Sequence, residues 1–170
     1  MSLSSYRKKR DFGSTPEPGG DPSSVVPQAD GYRFVVQQHD ATRLHWDLRL
    51  EHDGVLASWA VPNGIPPDPA DNRLAVRTED HPLEYLDFHG EIPKGQYGAG
   101  TMTIWDTGTY ELHKWEPRKV EVTFHGERLH GRYGLFVIGR DESTKQDWMI
   151  HRMDRRTTRI GFRCPSAWSR

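Results

Sequence analysis

Cysteine is almost absent. Cys164 stands alone, so neither an internal disulfide nor a cysteine-based zinc site can form within the chain. Long hydrophobic runs are missing too. No stretch approaches the roughly 20 apolar residues that a helical membrane span needs. Met1 to Gly20 lacks the apolar core of a secretory signal. The expectation is a cytoplasmic protein without a membrane partner. Net charge is scarce as well, −1 at pH 7, which excludes bulk attraction to nucleic acid and leaves only a local patch to make such contacts. Apolar residues form just 34% of the chain.

Turn formers and aromatics are plentiful: 16 Gly, 12 Pro, six Trp and six Tyr in 170 residues. One domain of many short strands follows from that composition. Residues 1–30 read as an extended N-terminal arm with a basic cluster, Arg7-Lys8-Lys9-Arg10, ahead of Thr15-Pro16-Glu17-Pro18-Gly19-Gly20. On composition alone such an arm is solvated and unstructured. Residues 31–157 carry the strand patterns, and 158–170 read as a C-terminal tail.

The patterns are Tyr32 to Gln38, Arg43 to Glu51, Val55 to Val61, Arg73 to Thr78, Gly98 to Trp105, Val120 to Phe124, Gly134 to Ile138 and Trp148 to Met153. Asp53-Gly54 reads as a hairpin turn, and Asp106-Thr107-Gly108 as a turn closing its strand. Glu116 to Glu121 has room for one helical turn. The predicted fold is mainly β: a small closed or partly open β-barrel of about seven to eight short strands with little helix.

Arg43 to Glu51 alternates strictly. Leu44, Trp46, Leu48 and Leu50 face one way; His45, Asp47 and Arg49 face the other. His39 lies six residues before His45 across a bend. Two imidazoles and a carboxylate make an N₂O metal site with open positions, suited to Mn²⁺, Zn²⁺, Co²⁺ or Fe²⁺. Arg49 adds the planar fork that grips a phosphate. A cation set and an arginine side by side are what phosphoryl transfer requires, because negative charge grows on the nonbridging oxygens. No Ser, Thr or Cys lies on that face, which favours direct attack by water. A second cluster follows in Arg73, Arg77, Glu79, Asp80, His81 and Tyr85. Pro82 ends the strand there and exposes His81, a candidate phosphate donor or general acid. Gly95-Gln96-Tyr97-Gly98-Ala99-Gly100 lacks the Gly-Lys-Ser/Thr ending of a phosphate loop and reads as a close-packed turn into a strand. His125, His130 and His151 read as surface or packing residues.

These residues, with the blocks FVVQQHDATRLHWDLRL (34–50), SWAVPNG (58–64), EDHPLEY (79–85) and GEIPKGQYGAG (90–100), resemble the 3′-phosphoesterase domain of bacterial and archaeal end-joining DNA-repair ligases. The resemblance covers nearly the whole chain. It implies a Mn²⁺-dependent enzyme, with Zn²⁺ or Co²⁺ as alternatives, that removes a 3′-terminal ribonucleoside from a DNA primer and then the remaining 3′-phosphate. It implies a metal held by His39, His45 and Asp47, and phosphate chemistry at Arg49, His81 and Tyr85. Gln37, Arg73 and Glu79 match further residues of the site. Arg10, Asp11 and Glu17 match polar residues of the arm, which brings the arm from solvent into the active site. Many members carry Lys where this chain has Asn63; an amide hydrogen-bonds a phosphate without neutralising it.

The implied partners are DNA 3′ ends, above all primer–templates ending in a ribonucleotide or a phosphate. Ligase, polymerase and Ku-type end-binding functions are expected from separate proteins. Two other classes compete. A non-haem Fe(II) oxygenase would use His45, Asp47 and a distant histidine such as His151. A noncatalytic DNA-end binding module would need no metal.

Overall fold

The computed structural model describes residues 3–20 and 32–154. The tail assigned to 158–170, Cys164 within it, and arm residues 21–30 lie outside that range. Nine strands form one antiparallel sheet: β1 (Tyr32–Asp40), β2 (Leu44–His52), β3 (Val55–Val61), β4 (Asn72–His81), β5 (Gly90–Ile92), β6 (Gly100–Glu116), β7 (Lys119–Gly126), β8 (His130–Val137) and β9 (Asp147–Arg152). Strand order is β1-β2-β3-β4-β9-β8-β7-β6, and β1 pairs with β6 as well, so eight strands close into a barrel. β5 is an extra strand on the edge of β6. The expected β-barrel is present, with almost no helix.

Period-two alternation decides which residues fill the barrel. Phe34 and Val36 of β1, Leu48 and Leu50 of β2, Trp59 and Val61 of β3, and Val122 and Phe124 of β7 meet in one buried core. Their neighbours in sequence point out through the wall. Asp53 (φ 50°) and Gly54 (φ 79°) make the expected two-residue turn between β2 and β3. Leu44 begins the inward row but is 44% exposed at the end of its strand.

Three local readings need correction. Asp106-Thr107-Gly108 is not a turn, since β6 runs through it without a break. Gly108 is there because a side chain would strike the carbonyl of His125 on β7. Asp106 accepts the amide N–H groups of Glu127, Arg128 and Leu129 and so caps the β7–β8 connection. Glu116 to Glu121 holds no helical turn; Pro117 and Arg118 connect β6 to β7. Part of the arm is ordered: α1 (Ser4–Lys8) buries Tyr6 completely.

That burial creates a second core outside the barrel. Tyr6, Leu56, Leu83, Tyr85, Ile92 and Met102 pack together over the outer face of the wall. Leu83 and Tyr85 come from a 3₁₀ turn, Leu83–Asp87, which starts after Pro82. The wall made by β1 to β4 is therefore covered on both sides.

Candidate metal and phosphate site

The outward residues of that wall line a cleft of about 310 Å³, roofed by the arm, the 3₁₀ turn and the segment before β6. Antiparallel register places its polar groups. His39 on β1 faces His45 on β2, and Gln37 faces Asp47. On the next strand pair Asp47 faces Ala60, and Arg49 faces Ser58. Thus the alternation that turns Leu48 and Leu50 inward turns His45, Asp47 and Arg49 into the cleft.

His39, His45 and Asp47 each offer a ligand atom, all within 4.8 Å of one another. The far nitrogen of each imidazole is committed. His39 donates Nε2–H to the carbonyl of Gly98 at 2.8 Å. His45 donates Nδ1–H to the carbonyl of Arg43 at 3.0 Å. Each histidine then turns its near nitrogen toward Asp47: His39 Nδ1 at 3.2 Å from Oδ2, and His45 Nε2 at 3.4 Å from Oδ1. Outer hydrogen bonds of this kind fix tautomer and ring direction at metal centres. With the far nitrogens engaged, the near nitrogens and the carboxylate converge; protonated, the near nitrogens donate to Asp47, and deprotonated, they are two lone pairs that with the carboxylate fit a divalent cation. Burial acts to raise the Asp47 carboxyl, but Arg49, His39 and His45 outweigh it and hold it well below the usual carboxylate range. His45 is shifted upward, first by its hydrogen bond to Asp47.

Arg49 is 2% exposed. Its Nε donates to Gln37 Oε1 at 2.7 Å, and Nη2 lies 3.4 Å from Asp47. Gln37 in turn donates to the carbonyls of Tyr85 and Phe88. Gln37 therefore splints Arg49 against the 3₁₀ turn. The Arg49 guanidinium also lies over the Tyr85 ring, 4.6 Å from its centroid. Nη1 is buried with no partner among the described residues. An unmade hydrogen bond at a buried charged group is costly, and a phosphate oxygen is the ligand that a free guanidinium N–H suits best.

The arm reaches the cleft through Arg10. Its Nε donates to Glu17 at 2.7 Å, Nη1 to Glu79 at 3.1 Å, and Nη2 lies 3.3 Å from His81 Nε2. Tyr85 donates its hydroxyl to the same Glu17 carboxylate at 2.7 Å. His81 donates Nδ1–H to the carbonyl of Glu79 at 2.8 Å, which leaves Nε2 to accept from Arg10. Burial, then Arg49 and Arg10, push the His81 pKa well below its ordinary value. In this arrangement His81 Nε2 accepts from Arg10 and its Nδ1–H is held by Glu79.

The other expected residues lie apart from the cleft. Arg73 donates to the carbonyls of Asn63, Gly64 and Ile65 and pins the loop after β3. Asn63 is exposed on that loop. Asp11 is exposed and caps its own turn through Gly13 and Ser14. His151 packs on the Phe136 ring and does not join the cation set, contrary to the oxygenase arrangement.

Sequence reasoning passed over several contributors. Lys9 bonds Glu79 at 3.2 Å. Tyr97 lines the cleft, and Gly98 supplies the carbonyl that fixes His39. Ser58 is buried with Oγ 3.3 Å from His81 Nδ1. Because that nitrogen already carries the proton given to Glu79, and Ser58 donates to the Leu56 carbonyl, the pair is not a nucleophile and its base. The signal for Tyr97 and Gly98 is the glycine-rich block itself, which carries part of the family resemblance and by its residues alone reads as a turn into a strand.

Residues 37–137 match the family model described as the DNA Ligase D 3′-phosphoesterase domain. The multifunctional non-homologous end joining protein LigD of Mycolicibacterium smegmatis is 49% identical over 162 residues, covering 89% of this chain and 20% of that protein. The LigD protein of Mycobacterium tuberculosis (strain H37Rv) is 48% identical over 155 residues, with the same coverage. That of Pseudomonas aeruginosa is 49% identical over 142 residues, covering 78% of this chain and 16% of the other. The chain spans about a fifth of the length of the curated relatives it matches. The matched region spans more than half of the chain, including β2 to β8 and the strand ends that carry Gln37 and His39. This chain belongs to the DNA Ligase D 3′-phosphoesterase domain family.

Proposed function

We propose that the chain is a metal-dependent phosphoesterase of DNA 3′ ends. It removes a 3′-terminal ribonucleoside to leave a 3′-phosphate, then hydrolyses that phosphate to a 3′-hydroxyl. The observation that carries this reading is the buried, half-satisfied guanidinium of Arg49 beside the convergent His39, His45 and Asp47 set. Family membership supports the phosphoesterase chemistry. The relatives' names supply the context, non-homologous end joining, where ligase, polymerase and Ku-type functions outside these 170 residues would complete the repair.

His39, His45 and Asp47 would hold one divalent ion, Mn²⁺ in our reading, with Zn²⁺ or Co²⁺ as alternatives. When bound, such an ion supplies Lewis-acid polarisation of the phosphoryl group. Arg49 presents Nη1–H to a nonbridging oxygen and holds the charge that develops there. Gln37 and Tyr85 keep the guanidinium in place. In the first step a water oxygen bonds to phosphorus as the bond to the ribonucleoside 5′-oxygen breaks. The leaving oxygen takes its proton from His81 or from water. In the second step water displaces the DNA 3′-oxygen and inorganic phosphate departs. That substrate is a dianion and needs more positive charge. Arg10 is the other arginine lining the cleft, but Glu17 and Glu79 already offset it. The second step is therefore slower than the first.

The deciding experiment is a time course on a primer–template ending in one ribonucleotide, with and without Mn²⁺, read by product mass. We expect Mn²⁺-dependent loss of the ribonucleoside, transient 3′-phosphate, and later 3′-hydroxyl. An unchanged primer would overturn the activity. A 3′-hydroxyl product with no transient phosphate would overturn the order of rates.

A further inference from the structure

In the proposed reaction Arg49 meets the phosphate, yet the departing nucleoside also carries a base that needs a surface. Two tyrosines line the cleft. Tyr85 is 1% exposed and tied through its hydroxyl to Glu17. Tyr97 is the opposite case: 47% of it is open to solvent.

Its position is fixed from several sides. The turn that carries it is held by Gln96 N–H on the Pro93 carbonyl and Ala99 N–H on the Gln96 carbonyl. The next residue, Gly98, accepts from His39. Lys9 Nζ lies 4.8 Å from the Tyr97 ring centroid, and the Arg10 guanidinium carbon lies 5.3 Å from it. Both cations are already paired with Glu79. They steady the ring and leave the rest of its surface free. A rigid, half-open aromatic ring beside a phosphate pocket is how proteins hold an unpaired base, and such stacking is tolerant of base identity because every base has a π-face.

We infer that Tyr97 forms a nucleoside subsite, stacking the base of the 3′-terminal nucleoside while its phosphate lies between Arg49 and the His39–His45–Asp47 set. The subsite rests on the phosphoesterase reading and adds to it the element that distinguishes a nucleoside-terminated end from a phosphate-terminated one. Its ligand class is any purine or pyrimidine base at a frayed 3′ end.

The test uses a primer–template whose last residue is 2-aminopurine riboside, bound by the full chain in EDTA so that nothing is cleaved. Stacking quenches the fluorescence of that base. The wild type and Tyr97→Phe should quench it. Tyr97→Ala and Tyr97→Leu should not, and their affinity should fall roughly 10- to 100-fold. The Leu variant keeps the bulk of the side chain, so its loss cannot be ascribed to a collapsed turn. Equal quenching and affinity in Tyr97→Leu would overturn the subsite. Hydrolysis of the same primer by the wild type with Mn²⁺ separates the two readings. Hydrolysis combined with unchanged quenching in the Leu variant overturns the subsite alone. No hydrolysis overturns the phosphoesterase reading, and the subsite with it.

Discussion

The two faces of β2 are built from interleaved residues yet obey different rules. Inward, Leu48 and Leu50 are fully buried in a core to which all seven other barrel strands contribute. Outward, Asp47 and Arg49 are nearly as buried, but under the arm and the 3₁₀ turn, and among polar groups. The inner face is held by apolar packing, and its unpartnered polar atoms among the described residues, Trp59 Nε1 and His52 Nδ1, belong to single aromatic rings. The outer face gathers its unfinished groups in one place: Arg49 has an unpartnered nitrogen, and two histidines converge on one carboxylate. Depth of burial thus separates core from site poorly. Clustering separates them better: ligand atoms and an unpartnered guanidinium nitrogen meet in one cleft, and charged groups gathered in this way mark a site.

The strongest challenge to that contrast is to empty the outer face. The double variant His45→Ala, Asp47→Ala should lose Mn²⁺ binding and at least ~10³-fold of both activities. Its melting temperature should fall modestly, since Arg49 and the two histidines stabilise the ionised Asp47 and its loss leaves the buried Arg49 with one partner fewer. Stoichiometric Mn²⁺ binding by calorimetry would refute the ligand assignment. The inner face should answer in the opposite currency. Leu48→Ala should cost about 2–5 kcal/mol of stability by chemical denaturation. The Mn²⁺ affinity of the folded fraction should stay the same. A comparable drop in metal affinity would mean that the two faces are coupled through the strand.

Smaller changes sharpen the picture. Arg49→Lys keeps the charge and loses the fork, so kcat/KM on the ribonucleotide-ended primer should fall ~10- to 100-fold. An unchanged kcat/KM would argue against capture of the phosphate through Arg49 Nη1. Asn63→Lys adds a positive charge on the exposed loop that Arg73 pins. It should speed the monoesterase step alone by no more than ~5-fold, the range of an exposed ion pair. Equal acceleration of both steps, measured on separate diester and monoester primers, would show a general electrostatic effect.

Much of this was legible in the residues because short-range rules produced it. A period of two put His45, Asp47 and Arg49 on one face, and Pro82 fixed where β4 stops. Asp53-Gly54 gave the turn through its backbone freedom. The failures were long-range. Gly108 looked like part of a turn, whereas the constraint is a close approach of β7. The arm reads as solvated because Tyr6 stands between polar residues; apart from Phe12, its ring partners His81 and Tyr85 lie more than 70 residues away along the chain. Arg73 carries the right charge, but the carbonyls of the loop after β3 hold it. The carbonyls of Arg43 and Gly98 that set the histidine tautomers have no side-chain signature at all.

A wall with two independently buried sides also governs how such a chain can change. The packing that keeps the barrel shut and the groups facing the cleft share a backbone but few side-chain contacts. Substitutions can accumulate inside without retuning the chemistry. Replacing the arm or the 3₁₀ turn would present the same histidines and arginine to a different substrate without unpicking the barrel. Selection, or an engineer, can treat the roof as exchangeable and the sheet as the chassis.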